Sequence, residues 1–206
     1  MSADDIIEFC LKSESLKRLP RTGWILAGED YSGCEKIASH CWGTSVIALL
    51  LALQLRFEGK SVDLERLLTM AILHDLPESI VSDIPYRAVE LGGIAMKSAK
   101  KETERVAAKQ ILTPLGALGE SLSKALEEFE GPDTLEAKIA VASDRLDMLA
   151  HAVSMENRGF PPQNLERFFE HVESEINSLH LDLAQELFSE LFRLHKTRLG
   201  SPKKSR

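Results

Sequence analysis

The sequence predicts an all-α protein: a single-domain bundle of crossing helices. Three observations carry that expectation. Of 206 residues, 44% are hydrophobic, 28% charged and only 12 are glycine, a composition that favours helix and supports a sizeable core. Apolar positions recur at three- and four-residue spacing through most of the chain. No stretch alternates apolar and polar residues as a half-buried strand would, and no internal repeat is present.

Taken in order, a first helix is expected at Ile6, Ile7, Phe9, Cys10 and Leu11, after a Ser2-x-x-Asp5 start that resembles a capping box. Pro20, Gly23, Gly28 and Gly33 break the periodicity over residues 19–34, which read as a loop. A long helix over 35–57 is apolar almost all round at 46–53 and is ended by Gly59, so it is expected at the centre. Asp63 can cap a helix over 64–74, followed by Pro77 and a broken segment at 78–85. Further helices are expected at 95–112, 119–130, 134–157, 164–178 and 181–195, giving one domain over 1–200. The final SPKKSR, 201–206, reads as a frayed basic tail.

A net charge of −7 argues against the broad basic surface of a nucleic-acid binder, so any anionic partner is expected to be a small molecule met by local positive charge. Cys10, Cys34 and Cys41 form no CxxC pair, which fits a reducing, cytoplasmic setting. The longest apolar run, eight residues at 46–53, is short of the ~20 needed to span a bilayer, and MSADD is no secretory signal, so no membrane is expected.

Two neutral imidazoles and two carboxylates suit a divalent Mn, Co, Fe or Zn ion and leave positions open for water and substrate. His40, His74, Asp75 and Asp144 are candidates for that set, each in an apolar setting (ASHCW, AILHDL, AVASDRLD) where a charge needs a partner. Taken singly, each histidine has the competing reading of a hydrogen-bonded or exposed residue. A His-Asp dipeptide alone is weak, because neighbours on a helix point about 100° apart.

In order, His40, HDLPESIVSDIP at 74–85 and SDRLD at 143–147 resemble the H…HD…D signature of the HD-domain phosphohydrolases. LKRLPRTGW at 16–24, KETERVA at 101–107 and EAKIAVASDRLDM at 136–148 are similar to the 5′-deoxynucleotidase branch. The resemblance implies that His40, His74, Asp75 and Asp144 ligate the metal, that Glu78 and Asp83 are the catalytic carboxylates, and that Arg21 and Trp24 face a nucleotide substrate. It implies hydrolysis of 2′-deoxynucleoside 5′-monophosphates, with the indole of Trp24 leaving no partner for a 2′-hydroxyl. Relatives commonly carry an acidic residue where Ser39 stands and a glycine where Ser82 stands.

Residues 76–143 contain no histidine, so a single metal ion is expected rather than a pair. A phosphodiesterase or alarmone hydrolase on the same scaffold, and a non-catalytic metal-bearing sensor, are the competing functions; Glu78 and Asp83 beside the ligands argue against the sensor. Asp147 and His151 share a helix face with Asp144, Asp147 as an orienting residue and His151 as a fifth ligand or a buried histidine. His171, His180 and His195 are expected at the surface, Phe168, Phe169, Phe188 and Phe192 in the core or at the seam of a homodimer, and Lys97, Lys100 and Lys101 on a solvated or phosphate-attracting face.

Overall fold

The computed structural model of the protein describes residues 1–200; the tail expected at 201–206 lies outside them. Among the described residues the helices are α1 (Ala3–Ser13), α2 (Thr22–Ala27), α3 (Ile37–Phe57), α4 (Leu64–Leu73), α5 (Glu78–Val81), α6 (Tyr86–Leu112), α7 (Ala117–Glu130), α8 (Leu135–Asn157), α9 (Glu166–Ser178) and α10 (Asp182–Leu199). The only extended pairing among them is an isolated bridge between Pro20 and Lys36.

The centre is the crossing of α3 and α8, flanked by α4 and α10. Their buried faces are rich in small residues: Gly43, Ala48 and Ala52 on α3, and Ala137, Ala140, Ala142 and Ala152 on α8. Small side chains let two helix backbones approach closely, which brings polar groups from the two helices within reach of each other. Around that contact Leu67, Met70, Leu149, Phe169 and Ile176 close the main core, each worth about 1.5–3 kcal/mol for complete burial. A smaller cluster of Leu76, Ile111, Leu112 and Leu115 holds the end of α6 against the segment after α4.

The expected caps form. Ser2 and Asp5 bond reciprocally as a capping box on α1, and the Asp63 side chain accepts from the Arg66 amide to start α4. Three expectations are corrected. The loop read over 19–34 contains α2, because the cap on its first amide comes from Asp83, 61 residues away, and leaves no local signal. Helix α6 starts at Tyr86, ahead of the expected residue 95, and passes a kink at Gly93, whose φ of 60° and ψ of −148° interrupt the periodicity that sequence reading relies on. His195, expected at the surface, is fully buried, with Nδ1 2.5 Å from Glu156 Oε1 and its ring stacked on Phe169.

Candidate active site

Donor atoms from three separate stretches of chain converge at the α3–α8 crossing. His40 lies in the first turn of α3, His74 and Asp75 follow α4 directly, and Asp144 sits in the middle of α8. His40 Nε2 is 3.3 Å from His74 Nε2, 3.0 Å from Asp144 Oδ1 and 3.8 Å from Asp75 Oδ2. His74 Nε2 is 3.3 Å from Asp75 Oδ2 and 4.0 Å from Asp144 Oδ1. Donors held about 2.1 Å from one ion lie about 3.0–3.4 Å apart when adjacent and about 4.2 Å apart when opposite, so these separations suit a shared cation.

The hydrogen bonds behind the ligands sharpen that fit. His74 Nδ1 is 3.0 Å from the Ala71 carbonyl, which can only accept, so Nδ1 carries the proton and Nε2 of the neutral ring presents a lone pair. His40 Nδ1 donates in the same way to Asp147 Oδ2 at 2.8 Å. Two lone pairs and two carboxylate oxygens facing one point repel unless a cation lies among them. Without a metal a proton takes that place: burial and the Arg21 guanidinium oppose charging His40, but its bonds to Asp144 and Asp147 prevail and raise it to about 9. Burial also opposes ionising Asp75 and Asp144, yet His74 and Arg21 beside the first, and Arg145 and His40 beside the second, hold both below the usual carboxylate range.

The other expected residues surround this centre. Arg21 starts α2, its amide bonded to the Glu35 carbonyl, and its Nη1 donates to Asp75 Oδ2 at 3.0 Å. Glu78 opens α5, is buried, and has an Oε2 without a hydrogen-bond partner among the described residues. Burial, reinforced by Asp75 and Asp83, pushes its carboxyl well above the ordinary range. Asp83 Oδ2 accepts from the Thr22 amide at 2.5 Å and the Thr22 hydroxyl at 2.7 Å, tying the segment after α5 to the start of α2. Lys100 bonds Glu104 at 2.8 Å, and Lys101 lies 3.6 Å from Glu130.

Trp24, expected to face a nucleotide, is packed among its neighbours. Its indole is 1% exposed, stacked on Phe168 at 4.4 Å and beside His151 at 5.2 Å, with Nε1 donating to Glu35 Oε2 at 2.9 Å. Enclosed on these sides, it supports α2. His151 lies 3.4 Å from Glu35 Oε1 and so belongs to this supporting network. Ser39 is on the exposed side of α3, away from His40.

Sequence reading missed three contributors. Gly43 is needed because a Cβ there would lie 2.0 Å from Asp147 Oδ1, so only glycine lets Asp147 reach His40. Arg145 bonds Asp144 Oδ2 at 2.7 Å and Glu175 at 2.5 Å, holding the ligand from behind. Glu35 links Trp24 to His151. The glycine that ends ASHCWG, three residues after His40 and inside a strong helix pattern, was the one available signal.

Two clefts adjoin the centre. One, about 760 Å³ between α6 and α7, reaches His74 and Pro77 and carries Lys101, Glu104 and Arg105. The other, about 460 Å³, is lined by Gly23, Tyr86, Met148, Phe168 and His171, and shares α2 and α8 with the site.

An all-α bundle closed around a His, His-Asp, Asp centre is the arrangement of the HD domain. The chain belongs to that family, whose model matches residues 13–183. Among curated relatives it is 30% identical over 170 residues to the 5′-deoxynucleotidase HDDC2 of Danio rerio, covering 81% of this chain and 77% of that one. It is 27% identical over 201 residues to the 5′-deoxynucleotidase HDDC2 of Homo sapiens, covering 97% and 90%. Among solved structures it is similar to the PH0347 protein of Pyrococcus horikoshii OT3, with a TM-score of 0.76, 33% identity and coverage of 91% and 99%. A predicted metal-dependent phosphohydrolase of Magnetospirillum magnetotacticum MS-1 is also similar, with a TM-score of 0.62, 25% identity and coverage of 93% and 95%.

Proposed function

We propose that the protein is a metal-dependent 5′-deoxynucleotidase, hydrolysing 2′-deoxynucleoside 5′-monophosphates to deoxynucleoside and phosphate. The observation that carries the reading is the convergence of four candidate metal donors with a buried Glu78 carboxyl and a guanidinium at Asp75. The deoxynucleotide substrate is supported by the relatives named 5′-deoxynucleotidase, which cover most of the chain. A single ion is supported by one His/Asp cluster of suitable spacing among the described residues, at His40, His74 and Asp75, with Asp144 against both histidines.

A divalent ion held there supplies Lewis acidity, polarising a phosphate oxygen and making water a better nucleophile at neutral pH. His40 and His74 would offer their Nε2 lone pairs to such an ion, because Asp147 and the Ala71 carbonyl occupy their Nδ1 protons. Arg21 presents a planar fork to the phosphate and opposes the negative charge that grows as the bond breaks. Glu78 delivers its proton to the departing 5′-oxygen, a role that its raised pKa prepares. Asp83, through Thr22, positions Arg21 at the start of α2.

The test is phosphate release from deoxy- and ribonucleoside monophosphates with Mn, Co, Fe, Zn and Mg. Release with a transition metal, lost with the bound metal in Asp75→Ala while the helical signal persists, is the expected result. An Asp75→Ala enzyme that turns over fully after chelation ends the reading. Equal efficiency on dAMP and AMP would remove the sugar preference and leave hydrolysis standing. We propose further that the protein works in a reducing cytoplasm, supported by three unpaired cysteines, and as a homodimer, supported by an uncovered apolar surface along α3.

A further inference from the structure

The cleft of about 460 Å³ beside the site is lined by three stretches that each continue from a residue of that site. Gly23 lies two residues after Arg21, Pro85 two residues after Asp83, and Met148 four residues after Asp144. Four residues are about one helical turn, so Asp144 and Met148 share a face of α8 about 6 Å apart along its axis. The cleft therefore begins about one turn from the candidate metal donors, and its volume is that of a small-molecule site.

Its walls carry three rings: Tyr86 at the start of α6, and Phe168 and His171 on α9. The centroids of the Tyr86 and His171 rings are 3.7 Å apart, and Tyr86 is still 51% exposed. His171, expected at the surface, is drawn into this pair. One turn along each helix, Glu90 accepts from Arg167 Nη2 at 2.7 Å, which ties α6 to α9 and holds the two rings at their separation. Glu175 joins the pair to the metal site. It lies 3.4 Å from His171 Nε2 and accepts from Arg145 Nε at 2.5 Å, and Arg145 in turn bonds Asp144 at 2.7 Å. The formal charges of the lining balance, Arg87 and Arg167 against Glu90 and Glu170, so the cleft suits an uncharged planar group rather than a second phosphate.

We propose that this cleft seats the nucleobase of the substrate, with Tyr86 and His171 as the stacking platform that sets specificity for a nucleotide over other phosphomonoesters. The inference rests on the nucleotidase reading and adds where the base binds and which residues recognise it. With the phosphate at the ion and Arg21, the sugar spans the turn between Asp144 and Met148 and the base meets the rings. An aromatic face recognises a base by its π-system. A platform fixed beforehand by Glu90 and Arg167 loses little entropy when the base arrives. The cleft between α6 and α7 is the poorer place. Apart from His74 its one ring is Phe129, which packs on His74 at 5.1 Å, and eight of its lining side chains carry formal charge, against four here.

The experiment compares steady-state kinetics of the full chain on dAMP and on 2-deoxyribose 5-phosphate, which keeps the phosphate and sugar and lacks the base. Wild type should favour dAMP about tenfold to hundredfold in kcat/KM, the usual worth of stacking one base. Tyr86→Ala and His171→Ala should each raise KM for dAMP about tenfold with kcat near wild type, and so narrow its advantage over the base-free substrate. Tyr86→Phe should rescue KM, because the base needs the ring and not the hydroxyl. A merely structural role for the pair would lower turnover on both substrates alike. That result, or Ala variants with unchanged KM, would overturn the inference. Arg105→Ala raising KM for dAMP while Tyr86→Ala does not would overturn it in favour of the other cleft. If wild type hydrolyses neither substrate, the nucleotidase reading fails and calorimetric titration with dAMP decides the platform: binding weakened by Tyr86→Ala upholds it, and binding that is absent or unchanged overturns it.

Discussion

Gly43 and Glu78 show how single residues set the chemistry. At position 43 two effects compete. Alanine favours helix over glycine by about 1 kcal/mol, but its Cβ would displace the Asp147 carboxylate that holds His40. Removing a hydrogen bond behind a ligand typically costs tenfold to a hundredfold in metal affinity. Gly43→Ala should therefore keep the fold by circular dichroism and lose metal affinity by about that factor in calorimetric titration. Glu78→Gln should lower turnover about 10²–10⁴-fold, the usual contribution of proton transfer. The same variant should gain stability in the chelated protein as pH rises. Because the folded pKa is raised, the unfolded chain releases its proton first, so native stability falls as pH climbs from the ordinary value towards the folded one. Glutamine has no proton to lose. Parallel melting curves of the two proteins between pH 5 and 9 would contradict the assignment.

Among the elements, the connection from α5 to α6 is the most constrained. Ser82 has φ 65° and ψ 168°, a conformation that glycine adopts freely and serine does not. Such strain costs about 1–3 kcal/mol, against about 0.5–1 kcal/mol of extra chain entropy lost by a glycine. Strain is the larger, so Ser82→Gly should stabilise by about 1 kcal/mol and raise the melting temperature about 2–4 °C. A lowered melting temperature would show that the serine side chain holds something the backbone angles do not reveal. That backbone turn aims Asp83 at Thr22 and through it fixes the start of α2. Helices with local signals were legible: the Ser2 box, the Asp63 cap and the apolar period of α3 and α8 are written within a few residues. Helix α2 was not, because its cap arrives from the far side of the HD pair.

At the scale of the whole molecule, the candidate metal site joins α3, the end of α4 and α8, whose mutual packing forms the core. An ion that binds only the folded chain adds about 2.7 kcal/mol at a hundred times its dissociation constant, or about 5–10 °C in melting temperature for a chain of this size. Scanning calorimetry with and without chelator should show that difference, and an unchanged melting temperature would mean that no ion is held there. The amino-acid order alone determined the helical class and the central place of α3, and singled out His40, His74, Asp75 and Asp144 as candidate donors, because helical periodicity and the ordered H…HD…D blocks are properties of the chain itself. Only the tertiary structure decided which residues serve those donors. The Trp24 indole is enclosed by Phe168 and His151, the Asp147 carboxylate passes over Gly43 to His40, and His195 is buried against Glu156. Each of those outcomes depends on which surface a neighbouring helix presents, 11 to 107 residues away along the chain, and no local pattern encodes a contact at that range.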